Sequence, residues 1–213
     1  VGSENDAMYH GATAIGSYNY VFGVNSTAVG RSNTVGDDGA DLYLGAFGSQ
    51  NTVLNSRGHA FGYLNSVTAD DAFAIGNNIT NTTTGAFQFG PDNATKVTIL
   101  SNGRFGIGTT SPTASFTLVG TSTVNPFVVA SSTGSSLFTI LQNGNIGIGS
   151  STPSRTLTVA GSLGLTGAFY DSTNASGTRG MVLQTTGTTT RWVATSTLGI
   201  TASISGGTTG YLA

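Results

Sequence analysis

One fixed interval constrains this chain more than anything else in it. Gly48, Gly62, Gly76 and Gly90 keep a constant 14-residue spacing three times over. Each follows an aromatic or branched apolar residue: Phe47, Phe61, Ile75 and Phe89. Behind them an asparagine recurs at the third position and a valine at the fifth, as Asn51 and Val53, Asn65 and Val67, with Ile79 a looser match. The register extends backwards through Gly16 and Gly30, with Asn19 and Val21, then Asn33 and Val35, at the same offsets. Self-similarity at a fixed period marks a stacked array rather than a globular fold. A unit this short cannot hold a pair of helices. It suits two strands of about five residues and two tight turns, at about 3.3 Å per residue. The pattern predicts an all-β chain whose first part is a thin parallel β-roll.

Between Gly30 and Gly48 the interval is longer by four residues. The surplus falls near Asp37-Asp38-Gly39-Ala40-Asp41 and reads as a loop inserted at a turn. Residues 1–10 show no clear register and read as a lead-in. Six coils at about 4.8 Å each would make a rod segment of roughly 29 Å. In the strand before each glycine, small residues (Ala12 and Ala14, Ser26 and Ala28, Ala72 and Ala74) alternate with Thr13 and Ile15, Thr27 and Val29, Phe73 and Ile75. A strand apolar on both sides is usually covered on both sides. A roll this thin has one interior, so the second face calls for a partner, most simply another copy about a common axis. Ile15, Val29, Phe61, Ile75 and Phe89 are expected to be buried in one stacked column. The Asn-x-Val strand alternates polar with apolar and reads as half-exposed.

Asn25-Ser-Thr-Ala-Val-Gly30, Ala72-Phe-Ala-Ile-Gly76 and the 14-residue spacing resemble the head repeats of trimeric autotransporter adhesins (YadA-like heads). Their repeats have an Asn-Ser-Val-Ala-Ile-Gly core. The likeness covers roughly residues 11–90 and implies a homotrimer of left-handed parallel β-rolls. The chain departs from the pattern at Thr27, Gln88 and the Gly30–Gly48 insertion.

After Gly90 the period changes. Val97-Thr-Ile-Leu-Ser-Asn-Gly-Arg-Phe-Gly-Ile-Gly-Thr-Thr-Ser-Pro112 recurs at a constant offset as Phe138-Thr-Ile-Leu-Gln-Asn-Gly-Asn-Ile-Gly-Ile-Gly-Ser-Ser-Thr-Pro153. Asn-Gly between apolar alternations is a strong hairpin signal. In each Gly-Ile-Gly step, Gly106 and Gly108 or Gly147 and Gly149, glycine suggests close backbone approach. The expected place for that approach is a three-fold axis. Further strands are expected at Phe116–Leu118, Pro126–Ala130, Leu157–Val159, Gly167–Thr173, Gly180–Gln184 and Thr190–Ala194. The Asn-Gly-x-Ile-Gly-Ile-Gly unit resembles modules of phage tail fibres and of repetitive bacterial surface proteins. The expected layout is a roll over residues 1–91, fibre modules over 92–133 and 134–161, and a C-terminal β segment and linker over 162–213.

Composition narrows the chemistry. Charged residues are 8% of the chain and the net charge is −2, which gives no electrostatic reason to expect nucleic acid or an anionic membrane. With zero cysteines there is no disulfide scaffold and no Cys metal site. No apolar run is long enough to span a bilayer as a helix. The chain begins at Val1 and stops mid-pattern, as a piece of a longer protein would. Catalysis requires convergent groups with matched proton affinities. His10 and His59 lie far apart in the chain, several coils from each other. Asp70 and Asp71 are neighbours that would face opposite ways on a strand and read better as a turn. The Gly-x-Gly steps lack the third glycine and helix of a dinucleotide site. Asp37, Asp38 and Asp41 have the oxygen density for calcium, with a plain turn as the competing reading; no other cofactor is expected.

The resulting expectation is a non-enzymatic, extracellular trimeric fibre segment of an adhesin or appendage stalk at a cell surface. A phage or phage-like tail fibre and a surface-layer or filament protein are the alternatives. Partners would be copies of the chain and a host or neighbouring-cell surface protein or glycan. Nucleic acid and direct membrane contact are not expected.

Overall fold

The computed structural model describes residues 2–37, 42–91 and 96–198, in two compact units, residues 1–160 and 161–213. The first unit is built on a ten-stranded and a six-stranded sheet. Gly2–Ser3, Thr13–Ser17, Thr27–Arg31, Gly45–Ser49, His59–Tyr63, Phe73–Asn77 and Phe87–Gly90 pair in parallel down the long sheet. Two-residue strands such as Tyr20–Val21, Thr34–Val35, Thr52–Val53 and Ser66–Val67 form the short sheet, also parallel. The chain is thus a parallel β-solenoid with coils of about 14 residues. Gly30 pairs with Gly48 and Val35 with Val53, so the surplus residues leave the stacking register intact.

The lead-in reading of residues 1–10 is corrected: Gly2 aligns with Gly16 and Asp6 with Tyr20, one full coil earlier. The signal was present as Gly2 and Asn5, which sit at the repeat's own offsets.

The glycine column has a steric cause. Gly16, Gly30, Gly48, Gly62 and Gly76 have φ between 116° and 148°, a region L-residues rarely adopt. A Cβ on any of them would lie 1.8–2.0 Å from the carbonyl oxygen of the glycine in the next coil. Each coil also turns through non-glycine left-handed corners, among them Tyr18, Ser32, Gln50, Leu64 and Asn78.

Inside, the Asn-x-Val strand is not half-exposed as its alternation suggested. Asn19, Asn33 and Asn51 are 0% exposed, as are Val21, Val35, Val53 and Val67. The valines meet Ala14, Ala28, Ala46, Ala60 and Ala74 in one core between the sheets. Alanine fits because the sheets lie too close for larger side chains. The asparagines form a ladder. Asn51 donates from its backbone N and Nδ2 to Asn33 Oδ1, both at 3.0 Å, and from Nδ2 to the Gly62 carbonyl at 2.9 Å. Asn65 repeats this towards Asn51 Oδ1 and the Gly76 carbonyl. The ladder ends where Ile79 N donates to Asn65 Oδ1 at 2.9 Å. In that last coil Asn81 replaces the core valine and Gln88 the core alanine, both buried. Asn81 Nδ2 donates to the Phe73 and Ala86 carbonyls, so polar side chains close the roll.

Beyond Gly90 the long sheet continues. Val97–Ile99 pairs antiparallel with Phe87–Gly90 and with Phe105–Ile107, and Phe116–Leu118 adds in parallel. A separate four-stranded sheet repeats the plan with Phe127–Ala130, Ser136–Ile140, Ile146–Ile148 and Leu157–Val159. Phe127–Ala130 stands there where the last strand of the roll stands in the first repeat.

In the second unit, Met181–Thr185 pairs antiparallel with Thr190–Ala194, followed by the 3-10 turn Thr195–Leu198. Asp171 ties the preceding loop to this pair, accepting from Thr173 N and Oγ1, Ala175 N and Trp192 N. These bonds, led by that from Trp192 N, hold its carboxyl well below the usual range. Gly167–Thr173, expected as a strand, forms none; no neighbouring strand is there to pair with it. Residues 203–213, expected to trail into a linker, lie outside the described residues.

Replacing Gly48 by Ala should cost about 1–3 kcal/mol or more through backbone strain alone, with the clash against Gly62 O added. Ser49→Ala, one residue along the same strand, should stay within about 0.5 kcal/mol. Denaturant melts of the two variants check the difference.

Candidate functional surface

The long sheet presents its other face away from the core. Ile15, Val29, Phe47, Phe61, Ile75 and Phe89 stand in register, one per coil. They form one column, but the expectation that it is buried is corrected for the single chain: Ile15 is 44% exposed and Ile75 36%. The positions that fill the roll are the intervening alanines. A strand's alternate side chains face opposite ways, so filling the interior with alanine sends the large residues outward.

A second column lies beside the first: Thr13, Thr27, Gly45, His59, Phe73 and Phe87. Aromatic rings stack along the two columns. Phe47 and Phe61 have ring centroids 4.7 Å apart, Phe61 and Phe73 5.3 Å, Phe73 and Phe87 4.5 Å. Register carries both columns past the roll, through Ile99, Phe105 and Phe116 and through Val97, Ile107 and Leu118. One apolar stripe therefore crosses the ten-stranded sheet from the second strand of its order to the last. At its far end, Ile107, Leu118, Val124 and Pro126 line an open apolar recess of about 250 Å³ with Lys96 at the rim.

His59 is the one titratable side chain in these columns. Its ring lies against Phe73, centroids 5.8 Å apart. It also covers Gly45, where a Cβ would come within 2.6 Å of His59 Nδ1. Burial against these groups lowers its pKa below the ordinary value of 6.5. Arg57 and Asp71 occupy equivalent corners of successive coils and pair with each other, Nη2 to Oδ2 at 2.8 Å. That hydrogen bond raises the Arg57 pKa and lowers the Asp71 pKa. Asp70 sits in the same turn and accepts from Ser56 N, so these two acids are turn residues.

Of the other positions singled out from the sequence, Gly106 and Gly147 are buried and Gly108 and Gly149 exposed. Their expected place at a three-fold axis is corrected, because the close approach is within the chain. A Cβ on Gly106 would meet Thr109 and Pro112, one on Gly147 the Ser150 carbonyl and Pro153, and one on Gly108 the Val119 carbonyl at 2.3 Å. Asp37 is exposed, and Asp38 and Asp41 lie outside the described residues. Among the described residues no three His, Cys, Asp or Glu side chains gather as a metal site would need, and no helix is long and apolar enough to cross a membrane. Comparison with protein-family models and with curated protein sequences gives no match to this chain.

The ladder asparagines were visible as a recurring residue, but alternation alone could not assign them inward. Their strict position three residues after each glycine was the available signal.

Because burial lowers the His59 pKa, the unfolded chain takes up the proton first as pH falls. Stability should be full above about pH 6.5 and decline as pH drops through the folded-state value. Melts at about pH 7.5 and about pH 5 should differ less for His59→Asn than for the parent chain.

Proposed function

We propose that this chain is a segment of an extracellular structural and adhesive fibre, a homotrimer at a cell surface that displays a repeated outer face. The observation that carries the reading is the two-column apolar stripe on the long sheet. Soluble monomers rarely leave contiguous apolar patches of this extent uncovered, and such patches mark association surfaces. A second copy of the same roll offers a matching periodicity, coil for coil, and cyclic closure limits growth sideways.

In this reading the stripe is the contact between chains. The opposite surface, with Thr34, Thr52 and Ser66 on its short strands, remains for display. Coil-by-coil repetition favours weak contacts multiplied by avidity over a single tight pocket. The ligand would be a surface protein or glycan of a host or neighbouring cell. Turnover is not part of the reading, because the titratable side chains described above serve turns and packing.

Native mass spectrometry should give a species of three times the 21.4 kDa mass of the chain. Ile75→Asp, which puts a carboxylate into the stripe, should convert that species to a folded monomer. A monomer of the parent chain at micromolar concentration would refute the trimer.

A further inference from the structure

From Gly161 to Tyr170 every residue of the chain is exposed. The run carries four large apolar side chains: Leu163 at 63% exposure, Leu165 at 54%, Phe169 at 46% and Tyr170 at 58%. Nothing lies within 4 Å of a Cβ built on Gly161, Gly164 or Gly167. Backbone hydrogen bonds stop at Ala160 N, which donates to the Ile148 carbonyl, and resume at Asp171 N. Between them the one contact among the described residues is Phe169 O, which accepts from Trp192 Nε1 at 2.9 Å.

This run has the composition of a strand without a sheet. Leu163, Leu165 and Phe169 fall on one side of a two-residue alternation, with Gly167 between. Exposed strand backbone is a template for pairing with another chain. Its own unit offers little room, since the Asp171–Ala175 loop already occupies the Thr190–Ala194 edge.

We infer that residues 161–170 form an interchain β-structure with the same residues of neighbouring copies, running parallel and in register. The charge pattern favours a copy over an unlike partner. Between Arg155 and Asp171 the chain has no charged residue. Parallel in-register pairing sets each residue opposite itself, so like charges would repel while Leu and Phe pair favourably. The three glycines let backbones approach closely. This inference rests on the self-association proposed above and names a second place, apart from the stripe, where the copies meet.

Hydrogen exchange followed by mass spectrometry on the assembled chain tests it. Amides of residues 162–169 should exchange about tenfold or more slowly than the exposed Ser131–Ser135 turn. The chain has no cysteine, so Leu165→Cys introduces a single thiol. Mild oxidation should then link two copies, while Ser135→Cys should not. Unprotected exchange in a species of trimer mass would overturn this inference and leave the trimer standing. A monomer mass would overturn both.

Discussion

The carbonyl of each column glycine is the point on which the roll depends. It projects at the α-carbon of the glycine one coil earlier, so close that a Cβ there would overlap it. It also accepts from a buried asparagine Nδ2 at 2.9 Å, as from Asn19 to Gly30, Asn33 to Gly48 and Asn51 to Gly62. Glycine makes the approach sterically possible, and the asparagine satisfies a carbonyl that the bend would otherwise strand. A buried unpaired carbonyl costs about 1–3 kcal/mol, so neither column is stable without the other. The same asparagine amide reads the position of its predecessor through Oδ1, which transmits register from coil to coil. Four extra residues after Val35 therefore leave the stacking unchanged.

The position of the apolar stripe follows from that constraint. With glycine and asparagine fixing the bend, the space between the sheets admits only alanine and valine. Phenylalanine and isoleucine on the same strands go to the other face, where they stack on one another across coils. Where the ladder stops at Ile79, Asn81 and Gln88 take over the interior, and the next strand, Val97–Ile99, runs antiparallel. The stripe nonetheless continues, because antiparallel pairing keeps apolar residues opposite apolar ones: Phe87 meets Ile99 and Phe89 meets Val97.

Much of this was legible in the sequence. The glycine period gave the coil length, the insertion and the parallel register. The Asn-Gly steps gave the antiparallel pairs after Gly90. What could not be read was direction. Alternation says that Ile75 and Ala74 face opposite ways but not which of them faces the core, and size suggested the wrong one. Asn51 looked like a surface residue because its hydrogen-bond partners lie largely in other coils, far along the chain. Gly106 and Gly147 looked like contacts between chains because the turns that fold beneath them, ending at Pro112 and Pro153, carry no sequence mark of where they return. The first coil was missed because its strands are only two residues long, too short to show a period.

A double-mutant cycle on the ladder tests the account most directly. Asn33→Ala and Asn51→Ala each remove a side chain from the contact that joins these residues. If the ladder transmits register, the double variant should lose less stability than the sum of the singles, with a coupling of about 0.5–3 kcal/mol. Asn19→Ala with Asn65→Ala, which share no bond, should add within about 0.5 kcal/mol. Additivity in the adjacent pair as well would contradict the account, and the asparagines would then be separate local anchors rather than one connected column.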